Sequence, residues 1–404
     1  MRIAAISRYG HVIAGTEVYL RNVLPELARQ GNTVSLWHEL PTPTDLQSLF
    51  SAESYCVSTI GAEAALRRLA EWAPNVIYNN GCEDETWEAG LHSIAPVVQF
   101  VHSYRGTCIS GEKTWKYPNA RPCSEKFGAK CLLHYFPHRC GGLSPLTMIR
   151  LYSTEQRRLE MLRRCAAVVT ASEHMRQEYL LHGFATNRVV TAGLFLQSRS
   201  GCNRRESGEA VRLLFCGRMI ELKGCLLFLD ALSIVGARLK APIEGTFVGD
   251  GPLRQECERR AEAIRRKQRN VQIEFAGWRP SSELPAFYQE TDLLVFPSVW
   301  PEPFGLAGPE AGRYGIPAIA FDVGGVRDWL IDGVNGQLAK GPIPSARTLA
   351  DAIVDAVADP EHLARLRQGA VEMASRLTIE RHLERLVPIL ASAARKNEAL
   401  RFIS

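Results

Sequence analysis

Two alternating patterns of apolar residues run through the first half of the chain. Short, continuous apolar runs have the length and composition of buried strands, and they lie at residues 2–6, 33–37, 76–78, 97–102 and 167–171. Between the first two runs, apolar residues recur at helical spacing from Leu20 to Ala28, and Thr16 is placed to cap this helix. Strands that alternate with helices predict a mostly parallel, doubly wound α/β sheet.

A polar stretch interrupts this pattern, and the alternation then begins again. Five further strands are predicted beyond it, each closed by a loop with glycine or proline, at residues 211–216, 245–248, 272–275, 293–296 and 318–321. A chain of 404 residues also exceeds what one hydrophobic core usually serves. We therefore predict two Rossmann-like domains facing across a cleft, at 1–195 and 209–377, a linker at 196–208, and a C-terminal helix at 378–404 that could cross back to the first domain.

Composition narrows the class of protein. Hydrophobic residues make up 46% and charged residues 23%, which is typical of a soluble globular protein. The net charge of +5 is too small to indicate nucleic-acid binding by itself. No apolar run has the length of a membrane span, and the N-terminus reads as a strand and not as a signal peptide. We expect a cytoplasmic enzyme whose eleven cysteines are mostly buried thiols.

Two carboxylates stand close together in a turn of the second domain. Glu302 and Glu310 lie eight positions apart in a Gly/Pro-rich segment that follows the predicted strand at 293–296. The carboxyl ends of parallel strands are where open α/β sheets bind ligands. Alternatively, Glu310 could be an ordinary acid in the first turn of a helix, stabilised by the helix dipole.

Two cations follow the first strand of the same domain. Arg218 and Lys223 lie after Gly217, and Gly224 opens the next helix. A guanidinium, a mobile ammonium and the free N–H groups of a helix N-terminus together suit a pyrophosphate. The alternative is that both are solvated surface cations.

These motifs occur in the order seen in one enzyme family. The run comprises Gly217-Arg218, Lys223-Gly224, Val248-Gly249-Asp250-Gly251-Pro252, Glu302-Pro303-Phe304-Gly305-Leu306, Glu310-Ala311, Gly315-Ile316-Pro317 and Gly324-Gly325. The chain resembles the family 4 glycosyltransferases of GT-B fold, and 302–310 looks like their E-x7-E motif. The loop at Gly15-Thr16-Glu17 and the pair Val101-His102 are similar to that family's N-terminal motifs.

The resemblance implies a role for each matching residue. Arg218 and Lys223 would hold the donor pyrophosphate, Glu310 the ribose hydroxyls, and Glu302 the hydroxyls of the donor sugar. His102 would lie beside that sugar, so His102, Glu302, Arg218 and Lys223 form the predicted catalytic group. The remaining donor-binding residues implied by the resemblance are Gly15, Thr16, Val248, Gly277, Phe304, Gly305 and Leu306.

The resemblance also implies the chemistry, a retaining transfer from a nucleotide-sugar to an acceptor hydroxyl in cell-surface polysaccharide or glycoconjugate assembly. No cofactor would be required, because fixed cations and helix N-terminal amides stabilise the departing diphosphate. The leaving phosphate would take the acceptor proton, so Glu302 is not assigned as a nucleophile. A phosphorylase or epimerase of the same fold is one rival, and a non-catalytic nucleotide-sugar-binding subunit of a glycan synthase complex is another.

An insertion predicted at residues 103–145 carries four cysteines, Cys108, Cys123, Cys131 and Cys140. Their spacing is not that of paired Cys-x-x-Cys, but a loop this long needs some staple, and a structural metal or disulfides would supply one. The alternative is a packed, aromatic-rich loop with buried thiols. Its position after His102 suggests that it helps to recognise the acceptor.

A basic helical segment follows the insertion. Arg150, Arg157, Arg158, Arg163 and Arg164 are interleaved with apolar residues from Leu151 to Leu162. Such a helix can lie on an anionic membrane surface, which would suit a lipid-linked acceptor and would place the enzyme at the inner face of the membrane. The alternative is a solvated helix face whose charge is offset by Glu155 and Glu160.

Overall fold

The N-terminal domain is built on a seven-stranded parallel sheet. The computed structural model describes residues 1–12, 15–41, 53–197 and 208–401; most of the predicted linker, 198–207, lies outside the described residues. The strands of this domain are β1 Arg2–Tyr9, β2 Thr33–Leu40, β3 Ser54–Cys56, β4 Val76–Asn79, β5 Val97–Val101, β6 Thr114–Trp115, β7 Arg121–Pro122, β8 Ala167–Thr170 and β9 Val189–Thr191. The sheet order is β3-β2-β1-β4-β5-β8-β9, while β6 and β7 form a small antiparallel pair inside the insertion.

Helices cover this sheet, and polar caps define where several of them begin. They are α1 Gly15–Arg29, α2 Val57–Ile60, α3 Ala62–Trp72, α4 Glu85–Ile94, α5 Lys130–His134, α6 Pro145–Arg164 and α7 Glu173–Leu181. The Ser144 and Ser172 hydroxyls accept from backbone N–H groups in the first turns of α6 and α7. Thr16 lies inside α1, so the prediction that it caps this helix from outside is wrong.

The C-terminal domain repeats the design with six parallel strands. These are β10 Val211–Cys216, β11 Ile243–Val248, β12 Val271–Gly277, β13 Leu293–Phe296, β14 Ala318–Phe321 and β15 Gly336–Ala339, in the order β12-β11-β10-β13-β14-β15. Its helices are α8 Cys225–Arg238, α9 Arg254–Lys267, α10 Leu284–Gln289, α11 Ala307–Gly312, α12 Ala346–Val357 and α13 Pro360–Arg376. The strand order reverses between β10 and β13, and this switch point is where such sheets bind ligands.

The final helix, α14 Ile379–Arg401, packs on the N-terminal domain against β4, β5 and β8. Its Leu383, Leu386 and Leu390 side chains are buried there. A second connection joins the domains near the cleft, where the Asp328 carboxylate accepts a hydrogen bond from the backbone N–H of Glu173 at 2.8 Å. The two domains therefore face each other with their carboxyl edges toward one cleft. No helix in the described ranges has both the length and the apolar character needed to cross a membrane.

Candidate active site

A cavity of about 460 Å³ lies in the cleft and is lined by both domains. The N-terminal domain contributes Gly15, Thr16 and His102, and the C-terminal domain contributes Glu302, Phe304, Gly305, Leu306 and Glu310. A smaller cavity of about 120 Å³ adjoins it, with Lys223 in its wall and Glu302 shared between the two. Nine of the predicted site residues thus surround one continuous space.

The Glu302 carboxylate is buried and held by two donors. Lys223 Nζ donates to Glu302 Oε1 in a short ion pair, and Ser298 Oγ donates to the same oxygen at 3.0 Å. Gly324 packs against the Glu302 backbone at φ +61°, where a Cβ would lie 2.5 Å from the Glu302 nitrogen. The Gly325 N–H also donates to the Glu302 carbonyl at 2.8 Å. The loop after β14 therefore fixes the acid at the end of β13 by backbone contact.

Lys223 stands where α8 begins. It ends a short 3₁₀ turn, and Gly224, in the left-handed conformation at φ +69°, connects that turn to the helix. A Cβ on Gly224 would lie 1.9 Å from the Pro297 carbonyl oxygen, so this close approach of the β10 and β13 loops requires glycine. The Lys223 ammonium also lies 5.1 Å from the centre of the Trp300 ring. From the sequence, Lys223 and Glu302 were expected to bind different parts of a ligand, whereas in the structure they form an ion pair with each other.

Three predicted donor residues lie on a rim formed by the ends of β10, β11 and β12. In the described ranges, Arg218, Val248 and Gly277 line neither of the two cavities. Backbone hydrogen bonds join their loops: the Gly217 N–H donates to the Val248 carbonyl at 2.9 Å, and the Gly249 N–H to the Gly277 carbonyl at 2.8 Å. The Arg218 side chain is exposed, so it can reach toward the cleft only by extending from this rim.

The other end of the E-x7-E segment turns back into the cavity. Phe304 is buried, and its carbonyl accepts from the Trp329 indole N–H at 2.7 Å. Gly305 has φ +89°, which lets the chain enter α11. Glu310 lies in the first turn of that helix and faces the same cavity as Glu302. The turn thus directs two carboxylates toward one space, as the sequence spacing predicted.

His102 follows β5 and approaches the cavity from the opposite domain. Its Nε2 lies 3.2 Å from Asn80 Oδ1, and its ring packs against Tyr19 and Phe100. Burial, with a smaller contribution from His382, lowers the His102 pKa to about 3. The imidazole is therefore neutral at physiological pH. It can donate a hydrogen bond to a hydroxyl or accept one from it, but it brings no positive charge to a phosphate.

A buried chain of hydrogen bonds lies behind His102, and it was not predicted from the sequence. His382, on α14, places Nδ1 2.8 Å from the Gly193 carbonyl and Nε2 2.7 Å from the Tyr19 hydroxyl, which lies 2.5 Å from the Tyr78 hydroxyl. A carbonyl only accepts, so His382 donates from Nδ1 and accepts at Nε2. Burial lowers the His382 pKa to about 4, consistent with this neutral tautomer. The signal in the sequence was a histidine four positions before Leu386 on the apolar face of the last helix.

A third cavity, of about 280 Å³, lies beside His102 and Thr16 at the carboxyl edge of the N-terminal sheet. Arg8 and Arg105 both donate from Nη1 to the same oxygen of Glu83, at 2.6 and 2.8 Å. Deeper in the wall, burial raises the pKa of Glu88 to about 7. This cavity shares Thr16 and His102 with the cleft cavity, and it offers charged donors and carboxylate acceptors to a ligand.

A buried ion pair joins the cysteine-bearing insertion to the rest of its domain, and its four thiols form no disulfide. In the described residues, no group of three or more His, Cys, Asp or Glu side chains is placed to hold a metal, and Cys108, Cys123, Cys131 and Cys140 are free thiols. Burial raises the pKa of Cys123 to about 11 and that of Cys140 to about 12, and the neighbouring thiols of the insertion raise both further. No disulfide joins these four cysteines, and a structural metal stays a prediction.

The staple is instead Lys113, whose ammonium donates to Glu178 Oε1 at 2.6 Å and to the Glu125 carbonyl at 2.5 Å. Both side chains of the Lys113–Glu178 pair are almost fully buried. Nearby, the Phe127 N–H donates to His182 Nε2 at 2.9 Å. These contacts join the insertion to α7, so the packed-loop alternative describes this segment.

Most of the predicted basic helix is engaged with the protein. Arg157 pairs with Glu85, and Arg158 pairs with Glu155. Arg163 donates to the His182 carbonyl at 3.4 Å. Among the apolar residues of this segment, Leu159 and Leu162 are buried in the domain core, and Leu151 and Met161 are half-buried. The protein therefore uses Leu159, Leu162, Arg157 and Arg158 itself, and membrane contact by this helix stays a prediction.

Comparison with known proteins agrees with this architecture. A family model described as Glycosyl transferases group 1 matches residues 203–373. The D-inositol 3-phosphate glycosyltransferase of Corynebacterium glutamicum (strain R) is 25% identical over an alignment that covers 93% of this chain and 92% of that protein. The segment 203–373 matches the group 1 glycosyl transferases, and the match to the Corynebacterium protein extends over nearly the whole chain. These similarities confirm the resemblance to glycosyltransferases, and the two facing Rossmann-like domains confirm the GT-B fold.

Other relatives of this chain match over part of their length. The lipopolysaccharide 1,2-N-acetylglucosaminetransferase of Salmonella typhimurium (strain LT2) is 30% identical over 38% of this chain and 41% of that protein. For several curated relatives the chain spans about half of their length or less. Among solved structures, Anabaena HepE in complex with UDP has a TM-score of 0.66 at 17% identity, covering 97% of this chain and 100% of HepE. At that identity the likeness concerns the fold alone.

Proposed function

We propose that this chain is a retaining, family 4-type glycosyltransferase that moves a sugar from a nucleotide-sugar to an acceptor hydroxyl. The observation that carries the proposal is the buried Lys223–Glu302 pair, which faces Glu310, Thr16 and His102 around the cleft cavity. These groups match the parts of a nucleotide-sugar: the cation suits the diphosphate, Glu310 suits the ribose, and Glu302 with the neutral imidazole suits the hexose.

In the proposed complex, the diphosphate lies at the N-terminus of α8. Lys223 turns from Glu302 toward the phosphate oxygens, and Arg218 extends from the rim to meet them. Released from the ammonium, the Glu302 carboxylate accepts hydrogen bonds from the donor sugar. Glu310 accepts from the ribose hydroxyls. The base lies along the rim by Val248 and Gly277, and the segment at Gly15 and Thr16 covers the phosphates.

The reaction breaks the bond between the anomeric carbon and the diphosphate oxygen. Negative charge grows on that oxygen, and Lys223, Arg218 and the α8 amides stabilise it. The acceptor oxygen bonds to the anomeric carbon on the same face, and its proton passes to the departing phosphate. His102 holds a sugar hydroxyl by a neutral hydrogen bond. No step requires a metal, so activity should persist in a chelating buffer.

We further propose that the acceptor occupies the cavity beside Arg8, Arg105 and Glu83. It would be a glycan or a lipid-linked glycan in cell-surface polysaccharide or glycoconjugate assembly, which the name of the Salmonella relative supports. A lipid-linked acceptor would require the protein to work as a peripheral protein at the inner face of a membrane. Anabaena HepE binds UDP and UDP-glucose, which makes uridine donors the first to test.

A donor screen tests the proposal. Uridine, guanosine and adenosine diphosphate sugars are compared for thermal stabilisation and hydrolysis, and the anomeric configuration of the transfer product is read by NMR. One class should stabilise the wild type, and Lys223→Met should lose that effect. Lys340→Met is the matched control, since it removes an exposed lysine of the same domain that pairs with Asp332.

If no donor of the three classes stabilises the wild type, the donor site is assigned wrongly. If a donor binds but is neither hydrolysed nor transferred to any acceptor, the chain is the non-catalytic binding subunit. An inverted product would overturn the retaining mechanism while leaving the donor site intact.

A further inference from the structure

The insertion and the start of α6 present an unusual concentration of exposed apolar side chains. Six of the eleven exposed large hydrophobic residues in the described ranges lie between residues 117 and 149. Leu133, Leu143 and Leu146 are 75%, 85% and 79% exposed, the three highest values in that group. We name Leu133, Phe136, Leu143, Leu146 and Ile149 the α5–α6 patch. Isolated exposed apolar residues are normal, but a local group of this kind indicates a binding surface.

The helix geometry explains why these residues are exposed together. The buried side chains of α6 are Glu155, Leu159 and Leu162, all in its C-terminal half. Its first two turns extend past the domain, and spacings of three and four residues place Leu146, Ile149 and Arg150 on one face. Helix α5, which carries Leu133, packs against α6. The patch is therefore the projecting end of one local unit and not a scatter of unrelated side chains.

The charge of this unit has a single sign. Residues 126–154 contain no Asp or Glu, but they include Lys126, Lys130, Arg139 and Arg150, all exposed. None of these four makes an ion pair within the part of the chain that the structure describes; Arg139 instead lies 4.8 Å from the centre of the Tyr117 ring. Further along α6, Arg157 and Arg158 are in ion pairs and Arg163 donates to the His182 carbonyl, whereas these four cations remain available.

We propose that the α5–α6 patch docks the protein on an anionic phospholipid surface. Leucine, isoleucine and phenylalanine side chains enter the headgroup region, and the four cations lie on the lipid phosphates. An apolar group or a basic group alone binds membranes weakly, and here both signals occur in one projecting unit. The uniform positive charge favours this occupant over a second copy of the chain, whose patch would carry the same charge.

The position of the patch relates it to the acceptor cavity. Leu146 and Arg158 are twelve residues apart on α6, which is about 18 Å along a helix at 1.5 Å per residue. Arg158 lines the acceptor cavity. A lipid anchor could thus stay in the membrane while its glycan reaches the cavity. This purpose rests on the proposed function, but the binding itself can be measured without any sugar.

Vesicle co-sedimentation of the full chain tests the proposal. The wild type should bind vesicles of phosphatidylglycerol and phosphatidylethanolamine, and added salt should weaken that binding. The triple substitution L143S/L146S/I149S should reduce the partition coefficient at least about tenfold. Replacing Lys126, Lys130 and Arg150 with glutamine should cost roughly fivefold for each cation near the surface.

The matched control removes three exposed apolar side chains from the donor domain, I331S/V334S/V371S, and should bind vesicles as the wild type does. Circular dichroism and donor hydrolysis, expected to be unchanged in all three variants, check that each variant is folded. Glu302→Gln should lose transfer but keep vesicle binding, which separates failure of the proposed function from failure of this proposal. Equal vesicle binding by the wild type and L143S/L146S/I149S would overturn the proposal. So would a concentration-dependent dimer, without vesicle binding, that this substitution abolishes.

Discussion

The Lys223–Glu302 pair should give unequal effects when its two partners are removed one at a time. Glu302 is 6% exposed, and after Lys223→Met its only remaining side-chain donor in the described residues is Ser298. A buried carboxylate left this way costs about 3 kcal/mol or more of unfolding free energy. The Lys223 side chain is 24% exposed, so after Glu302→Gln its ammonium can turn toward water, at a cost of about 1 kcal/mol. The order of the two effects follows from which partner can reach solvent.

A double-mutant cycle by urea denaturation measures this coupling. The double variant carries no uncompensated charge, so its loss of stability should fall short of the sum of the single losses by about 2 kcal/mol. Nucleotide binding adds an independent measurement: Lys223→Met should weaken nucleoside diphosphate binding, whereas Glu302→Gln should leave it nearly unchanged. We reason that Lys223 and Glu302 compensate each other's charge until a nucleotide-sugar binds between them. Additive losses of stability, or equal losses of nucleotide affinity, would refute this.

Three further predictions follow from the same wall of the cleft. Gly224→Ala places a Cβ 1.9 Å from the Pro297 carbonyl oxygen at φ +69°, so it should cost about 3 kcal/mol or more of unfolding free energy. Gly217→Ala is the control, because the nearest atom to its Cβ would lie at 3.7 Å, and it should cost no more than about 1 kcal/mol. Chemical denaturation measures both. Tyr19→Phe leaves the His382 acceptor without its donor and should cost about 1–3 kcal/mol; a thermal midpoint equal to the wild type would contradict the assigned chain. The His102 pKa of about 3 lies below the ordinary value near 6.5, so its ring signal in NMR spectra should not titrate between pH 8 and 5. As the pH falls below 6.5, only the unfolded chain binds a proton at this residue, and the unfolding free energy should therefore decrease.

The local patterns of the sequence were sufficient for the fold class and for the order of the elements. Buried parallel strands leave continuous apolar runs, and their loops need glycine or proline, so both sheets could be predicted from one-dimensional information. Strands β3, β9 and β15 were missed because none of them contains more than two consecutive apolar residues. The two acids of the 302–310 segment share a cavity because one tight turn connects them, and a turn is a local property of the chain.

Contacts between distant segments were outside the reach of that reasoning. Lys223 and Glu302 are 79 positions apart, and Tyr19 and His382 are 363 apart. Neither pairing leaves a periodic signal in the sequence. The sequence directed attention to the cysteines of the insertion, but it gave no sign of the buried Lys113–Glu178 ion pair that joins the insertion to α7. Each case depends on which side chains the packed elements bring together.

The basic helix shows most directly what each level of description decides. The sequence alone showed that residues 150–164 are rich in cations and apolar side chains, and it predicted that such a segment can bind an anionic surface. It could not say which of those residues the protein would use itself. The tertiary structure buries Leu159 and Leu162 and pairs Arg157 and Arg158 with acids, and it leaves the first turns of α6 projecting. Composition and periodicity can be read from the sequence. Which side chains of the helix are exposed to solvent is decided only when the helix packs on its domain.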